Sequence, residues 1–470
     1  MFAQRLKNTL VFKRPEIILA VCLGLVITTY MITTPVHVDE GWFHNLAKAK
    51  NDKGFYTFPA FYDVPGLNGP YTHGNSLFVQ FYRLFDWIFP TGAIGIIVMR
   101  FLFLGLFVWT LALYLFRLNL FGGTAGNILV MAVILMQPIV LSSLARARPE
   151  TVMTSLLLLL FWHFRRSDLQ INWNALFIFS IFLFLVHPNG VLYLLLLMLL
   201  AAETKDFNKV MQLWGLGLLF VTLYYLVFID ANFPLYKEQF KIMFSSGGER
   251  KFLGSLGDAP MYLYSELRDR YLLWDWRKLM SYPFLLAATL VPIGAGLYAG
   301  LRRKGFRREL IYILGTIIFF VLLGNKFPGY LMYILPVLMI MGFSLIRKNK
   351  KWLAVAMLVL IVPSVSLTVQ RINWNFHQQK LYGHILQAVY QEARQGEMVY
   401  APLRLEPFLS GQYIFRTTTQ KGKNDFYQRY SISPRHCVVV ERKVNGVWKH
   451  AGLVRETIWE EDDLLVQRIH

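Results

Sequence analysis

The sequence predicts an all-α polytopic membrane domain with amphipathic outward loop helices, followed by a small α/β domain outside the membrane. Three observations predict it. Apolar runs long enough to cross a bilayer recur from Glu16 to Gln370, and lysine and arginine collect in alternate gaps between them. From Arg371 the chain turns polar and carries short β-type runs.

The composition agrees. Hydrophobic residues make up 55% of the 470 residues and charged residues 16%, where a soluble domain carries about a quarter charged. The mean hydropathy is +0.42. A chain of this length would otherwise suggest roughly three soluble domains. The formal net charge of +20 raises nucleic acid as a partner, but the basic residues sit in short gaps between apolar runs. That is the positive-inside pattern and not a DNA-binding face, so no nucleic acid is expected. Cys22 lies in an apolar run and Cys437 in the polar tail, so neither an internal disulfide nor a metal-type spacing is indicated. Basic residues before the first apolar run mimic a signal peptide. Val36-His37-Val38-Asp39 lacks a small-residue cleavage site, and a retained signal anchor is expected.

A helix needs roughly 20 apolar residues to cross about 30 Å of hydrocarbon, and shorter ones are tolerated in a bundle. On that rule spans fall near 16–36, 94–116, 124–145, 151–164, 173–186, 190–202, 212–229, 283–300, 309–324, 329–346 and 352–369. That makes about 11 transmembrane helices, the shortest of them open to tilting or partial re-entry. Arg5, Lys7, Lys13 and Arg14 precede the first span, and alternate gaps carry Arg117, Arg165 and Arg166, Lys205 and Lys209, Arg302 to Arg308, and Arg347 to Lys351. The opposite short gaps hold only Arg146, Arg148 and Lys326. The N-terminus is therefore expected in the cytoplasm and the tail outside.

Domain limits follow: 1–370 for the membrane domain, with outward loops 37–94 and 230–282, and 371–470 for the extracytoplasmic domain. In the loops, aromatics and charges alternate at helical intervals, as from Tyr236 to Phe244, a pattern suited to helices lying on the membrane surface. In the tail, Met398 to Tyr400, Cys437 to Val440, Val447-Trp448 and Leu464 to Val466 are strand-like, and Asn445-Gly446 signals a hairpin turn.

Several polar groups stand where the membrane meets the outer side. Asp39 and Glu40 follow the first span. Adjacent carboxylates at that boundary are costly to dehydrate, and they line a wet cavity or serve a site. Asp39 would alternatively act as the N-cap of the helix that begins there. Glu40 and His44 share a helix face, and with His73 they would make a loosely spaced metal set, which is weak evidence against a satisfied surface histidine. Arg146, Arg148 and Glu150 are squeezed between two apolar runs. Arginines on the outer side break the charge rule and suggest an anion such as phosphate. Glu150 could instead complement the dipole of the helix opened by Pro149. His187-Pro188-Asn189-Gly190 is a tight outward turn, and Lys326 stands alone before Tyr330, either holding a phosphate or snorkelling to the interface.

The layout of the first 370 residues resembles the GT-C superfamily of polyprenyl-phosphate-dependent glycosyltransferases, notably its protein O-mannosyltransferase and lipid A aminoarabinose transferase branch. Asp39-Glu40 looks like that family's outward acidic motif, and Tyr71-Thr72-His73-Gly74-Asn75-Ser76-Leu77 is similar to its histidine-containing loop, with Ser-Leu where Pro-Leu is usual. Arg148-Pro149-Glu150 falls where a second acidic residue opens a helix, and Lys326, Tyr330, Tyr333 and Pro336 resemble the late Lys-Tyr-Pro motif.

The resemblance implies a membrane glycosyltransferase that moves a sugar, with inversion, from a polyprenyl-phosphate donor to an acceptor outside the cytoplasm. It implies Asp39 as the base and Glu150 as its assistant toward acceptor or metal. Arg148, Lys326 and Arg146 would steady the departing phosphate. Glu40, His44, Tyr71, His73, His187 and Tyr330 would support or bind substrate. The resemblance fixes no cofactor, and a divalent metal ion, with Glu40 and His73 as its candidate ligands, stays open. The expected partners are a polyprenyl-phosphate-linked sugar, membrane lipids, and a lipid, glycan or protein acceptor. Compact length and short loops favour a bacterial inner membrane. The rival is a transporter or lipid-linked-sugar flippase, whose usual inverted repeat and mid-membrane charges are not seen in the sequence.

Overall fold

The computed structural model describes residues 14–54, 56–57, 77–89, 91–118, 124–165, 173–187, 190, 207–229, 234, 259–271, 283–322, 328–347, 349–417, 437–442, 455–461 and 464–469. Among the described residues the chain is mostly helical with one small sheet. Its contacts divide it into two units, the first made of residues 1–32, 100–221 and 251–372 and the second of residues 33–99, 222–250 and 373–470.

In the first unit, α1 is Arg14–Thr33, and its end is met by an arginine. Arg100 is almost fully buried and donates from Nη1 to the Met31 carbonyl at 3.2 Å. That carbonyl is in the last turn of α1, where no intrahelical donor reaches it. Of the helices that begin in the second unit, α2 is Val38–Lys53, α3 is Leu77–Ile88 and α4 is Gly92–Leu118, which runs on into the first unit.

The expected span at 124–145 is corrected to two helices, α5 (Thr124–Met136) and α6 (Pro138–Leu144), bent by 76°. Proline disfavours helical geometry in the residue before it, and Gln137 is extended at φ −60°, ψ 126°. Its Oε1 then accepts from the backbone N–H groups of Ile139 (2.7 Å) and Val140 (2.9 Å), so α6 starts afresh with a side-chain cap.

Next come α7 (Pro149–Phe164), α8 (Trp173–Val186), α9 (Phe207–Ile229) and α10 (Ala259–Ser265), the last passing into a π-helical turn at Glu266–Tyr271. α11 (Pro283–Arg302) packs closely on α13 (Leu335–Ile346). A Cβ on Gly296 would lie 2.5 Å from the Leu338 carbonyl oxygen, so only glycine lets the two backbones approach this far. In chain order α12 (Arg307–Leu322) comes between the two. The expected span 329–346 opens not as an α-helix but as a 3₁₀ turn, Pro328–Tyr333.

Elsewhere in this unit, Glu309 is buried and accepts from Tyr114 Oη (2.8 Å) and from Arg165 Nε (3.0 Å) and Nη2 (2.5 Å). One carboxylate thus ties together α4, α7 and α12.

The long helix α14 (Lys350–Glu392) continues through Arg371, where the composition changes, and contains Pro363. Beyond it the second unit holds a five-stranded mixed sheet. Its strands are β1 (Met398–Ala401), β2 (Ile414–Thr417), β3 (Cys437–Arg442), β4 (Arg455–Glu461) and β5 (Leu464–Ile469), in the order β2-β1-β3-β5-β4. β1 pairs in parallel with β2 and β3, while β5 pairs antiparallel with β3 and β4. Tyr400, Cys437, Val439 and Ile469 form its packed cluster. Between β1 and β2 stand a 3₁₀ turn, Leu403–Leu405, and a one-turn helix, α15 (Glu406–Leu409).

Among the described residues two helices, α4 and α14, are long and apolar enough to cross a membrane, and counting each bent helix pair as one span raises this to four. The expected span at 190–202, apart from Gly190 itself, lies outside the described residues, as do Tyr236 to Phe244, Asn445-Gly446 and Val447-Trp448.

Candidate active site

The site is built first on α2. Its N-cap is His37 and not Asp39, a correction set by backbone geometry: His37 is extended at φ −80°, ψ 153°, while Asp39 is already inside the helix. His37 Nδ1 accepts from the Asp39 backbone N–H at 3.2 Å, and Glu40 Oε2 accepts from the His37 backbone N–H at 2.7 Å. This is a capping box with the carboxylate three residues into the helix. At the other end Gly54, at φ 78°, donates back to the Lys50 carbonyl at 3.1 Å and closes the helix in the left-handed region that glycine tolerates.

The acidic pair is thereby divided. Glu40 is buried and turned into the cap, whereas the Asp39 side chain keeps 42% of its surface exposed, with Oδ2 3.5 Å from His37 Nδ1. Of the two, Asp39 is the more exposed.

His44 is not a surface histidine. Its ring is buried, with Nδ1 2.6 Å from Glu406 Oε2 on α15 and Nε2 3.2 Å from Asp86 Oδ1 on α3. Asn45 Nδ2 donates to the other Glu406 oxygen at 3.0 Å, and Asn51 Nδ2 donates to Asp86 Oδ2 at 3.0 Å. Burial alone would push the His44 pKa down, but the charge of Glu406 and hydrogen bonds to Asp86 and Glu406 outweigh it and raise it from 6.5 to about 9. Burial likewise opposes ionisation of Asp86, yet its hydrogen bond to His44 and the His44 charge hold its pKa below the ordinary value. With both ring nitrogens engaged by carboxylates, His44 is a linking residue here and not an open metal ligand.

The other candidates belong to the first unit. Arg148 is extended ahead of Pro149, which opens α7 at its first position. Its Nε donates to Glu150 Oε2 at 3.0 Å and its Nη2 to Oε1 at 2.6 Å, a two-pronged pair. Glu150 is buried, so the guanidinium compensates a charge that would otherwise be costly there. His187 follows α8 and interacts electrostatically with both Arg148 and Glu150. Arg146 lies in the preceding turn, where its N–H meets the Ser143 carbonyl at 3.2 Å. Tyr330, half-buried, stacks on Phe320 at 5.6 Å between ring centroids and neighbours Tyr333 at 6.1 Å.

The structure thus brings Arg148, Glu150 and His187 together in one unit, and Asp39, Glu40 and His44 onto one helix in the other. Tyr71, His73 and Lys326 lie outside the described residues. Among the described residues no group of three or more His, Cys, Asp or Glu is placed to hold a metal ion.

Glu406 and Asp86 were missed from sequence. A signal existed for each: a lone carboxylate inside an apolar stretch, Leu403-Arg404-Leu405-Glu406-Pro407-Phe408-Leu409 and Leu84-Phe85-Asp86-Trp87-Ile88. Buried charges of that kind are paired when they occur.

No protein-family model matches this chain, and no curated protein matches it. Its fold is nonetheless shared with solved GT-C structures. The structure of ArnT from Cupriavidus metallidurans bound to undecaprenyl phosphate aligns over 96% of this chain and 97% of its own, with a TM-score of 0.61 at 11% identity. The apo oligosaccharyltransferase of Archaeoglobus fulgidus aligns over 92% of this chain and 70% of its own, with a TM-score of 0.55 at 12% identity. Both are GT-C members. The resemblance in layout therefore holds at the level of the fold.

Proposed function

We propose that this chain is an integral membrane glycosyltransferase that moves a sugar from a polyprenyl-phosphate donor to an acceptor on the extracytoplasmic side. The observation that carries this reading is the fold shared over nearly the whole chain with ArnT, whose structure holds undecaprenyl phosphate. The N-terminus is cytoplasmic and the C-terminal sheet is extracytoplasmic in this reading, in a bacterial inner membrane with about 11 crossings.

In the reaction, Asp39 takes the proton from the acceptor nucleophile as that nucleophile attacks the anomeric carbon. The bond from that carbon to the phosphate oxygen breaks, its electron pair leaves with the lipid phosphate, and configuration inverts. Glu150 assists on the acceptor side, oriented and kept charged by the Arg148 fork. Arg148, Arg146 and Lys326 steady the developing phosphate charge. His187 and Tyr330 border the substrates.

The test uses purified full-length protein in nanodiscs. Undecaprenyl phosphates carrying an aminopentose, a hexose or an N-acetylhexosamine are supplied in parallel with lipid, glycan and peptide acceptors, and release of undecaprenyl phosphate is followed. Turnover by the wild-type chain is expected with one donor, with Asp39→Asn reduced by about 100-fold or more and Glu150→Gln reduced less. Folded variants with full activity would remove both assignments. The bend at Gln137-Pro138 is the feature that favours the rival transporter. Movement of the intact donor across vesicles without any glycosyl product would establish that rival instead.

A further inference from the structure

Within the second unit, α2 is gripped along one face by the segment that links β1 to β2. A Cβ on Gly41 would lie 2.2 Å from the Leu403 carbonyl oxygen, so the helix backbone rests directly on the 3₁₀ turn and only glycine allows it. One turn further, His44 and Asn45 reach the two oxygens of the same carboxylate, Glu406, at 2.6 and 3.0 Å. Gly41, His44 and Asn45 are spaced i, i+3, i+4 and form one stripe. At 3.6 residues per turn Asp39 projects from the opposite side of the helix, where its side chain is exposed.

The far side of His44 is fixed as well. Asp86 holds Nε2, and a Cβ on Gly92 would lie 1.9 Å from that same nitrogen, so the ring fills a slot left by glycine. Phe43 adds an edge-to-face contact with Phe78 at 5.1 Å and a tilted one with Tyr82 at 5.7 Å, both on α3. Apolar side chains alone would hold α2 against these neighbours. What a bidentate buried carboxylate adds is register, because sliding or rotating the helix leaves charges buried without partners.

We infer that Glu406 is a positioning residue for catalysis, setting the rotation and height of α2 through His44 and Asn45 so that Asp39 meets the acceptor. The role rests on the reading of Asp39 as the base. It assigns the C-terminal segment a part in the chemistry with no contact to substrate, and it makes His44 the link between them.

The experiment uses the full-length chain in nanodiscs with whichever of the three undecaprenyl-phosphate sugars gives the highest wild-type turnover. Glu406→Ala is expected to lower kcat by about 100-fold, as a misplacement of about 1 Å does, with donor KM changed less than about twofold. Glu406→Gln keeps the shape and one acceptor for the His44 and Asn45 pair, and it is expected to recover kcat to within about tenfold of wild type. Asn45→Ala removes one of the two contacts, and its kcat should fall between those of wild type and Glu406→Ala. If Glu406→Ala does not fold, Asn45→Ala decides the matter by the same split.

A folded Glu406→Ala with wild-type kcat, or a loss confined to KM, overturns the positioning role while Asp39→Asn keeps its loss of about 100-fold or more and the base reading stands. Full activity in Asp39→Asn, or no turnover by the wild-type chain with any of the three donors, overturns both.

Discussion

Glu309 and Glu406 are both buried carboxylates joined to a cation far away in sequence, yet their cations differ. Glu309 is held by Arg165 and by the Tyr114 hydroxyl, at the ends of α12, α7 and α4. Glu406 is held by His44 and Asn45, at the start of α15 and in the middle of α2. An arginine keeps its charge throughout the range in which proteins fold, whereas a histidine can give up its proton within that range. The first cluster is a fixed clasp for helices. The second is an adjustable one, and it grips the helix that carries Asp39. A scaffold benefits from the first kind, and a segment that must be aimed is better served by a group whose partners on both sides define one orientation.

The largest effect expected from this contrast is in the fixed clasp. Glu309→Ala leaves the Arg165 guanidinium without its carboxylate, and removing one partner of such a pair costs about 4 kcal/mol. Unfolding titration in mixed micelles should show that loss at every pH from 6 to 9. Replacing both Glu309 and Arg165 by methionine should restore most of it, because the uncompensated charge is then gone.

The adjustable clasp should show itself through pH. The His44 pKa in the folded chain, about 9, lies above its ordinary value of 6.5. Protonated His44 therefore stabilises the fold fully below pH 6.5, and this contribution is lost as the pH rises through about 9. The difference corresponds to about 3 kcal/mol. The charged groups hydrogen-bonded to the ring are Glu406 from α15 and Asp86 from α3, and Gly92 of α4 lies against it. Asp86 works in the other direction: its lowered pKa contributes stability above the ordinary value of 3.8 that is lost as the pH falls below it. The wild-type chain should thus lose stability between pH 6.5 and 9, and His44→Gln should be flat over that window. An equal slope in His44→Gln would assign the pH dependence elsewhere.

How far these features were legible in the sequence depends on their range. Local signals were read well. The apolar run at 173–186 forms the helix α8, and Pro149 opens α7 as its chemistry requires. The break after Gln137 was missed because an apolar run hides a proline when hydropathy alone is averaged. The N-cap was shifted by two residues because His37 is an uncommon cap, and the carboxylate three residues on completes the box. β2 and β4 were missed as well: β2 is a four-residue strand, Ile414–Thr417, and β4 mixes charges with its apolar residues. What sequence could not supply is pairing. Glu406 stands 362 residues from His44, and nothing local says which histidine a lone buried carboxylate will meet. Candidate residues were therefore legible as chemistry, while the contacts that separate Asp39 from Glu40 and commit Arg148 to Glu150 needed the fold.

The smallest effect sharpens the comparison from within the fixed clasp. Tyr114→Phe removes one donor to Glu309 and leaves the two-pronged Arg165 contact in place. The hydroxyl is lost from a buried site where a hydrogen bond to a charged group contributes about 1.5 to 3 kcal/mol. Because Arg165 still satisfies the same oxygen, the cost should fall at the lower end, about 1.5 kcal/mol. It should also be the same at pH 6 and at pH 9, since the remaining partner keeps its charge at both. A cost that grew toward pH 9 would mean that the Glu309 cluster exchanges a proton after all, and the division into a fixed and an adjustable clasp would then fail.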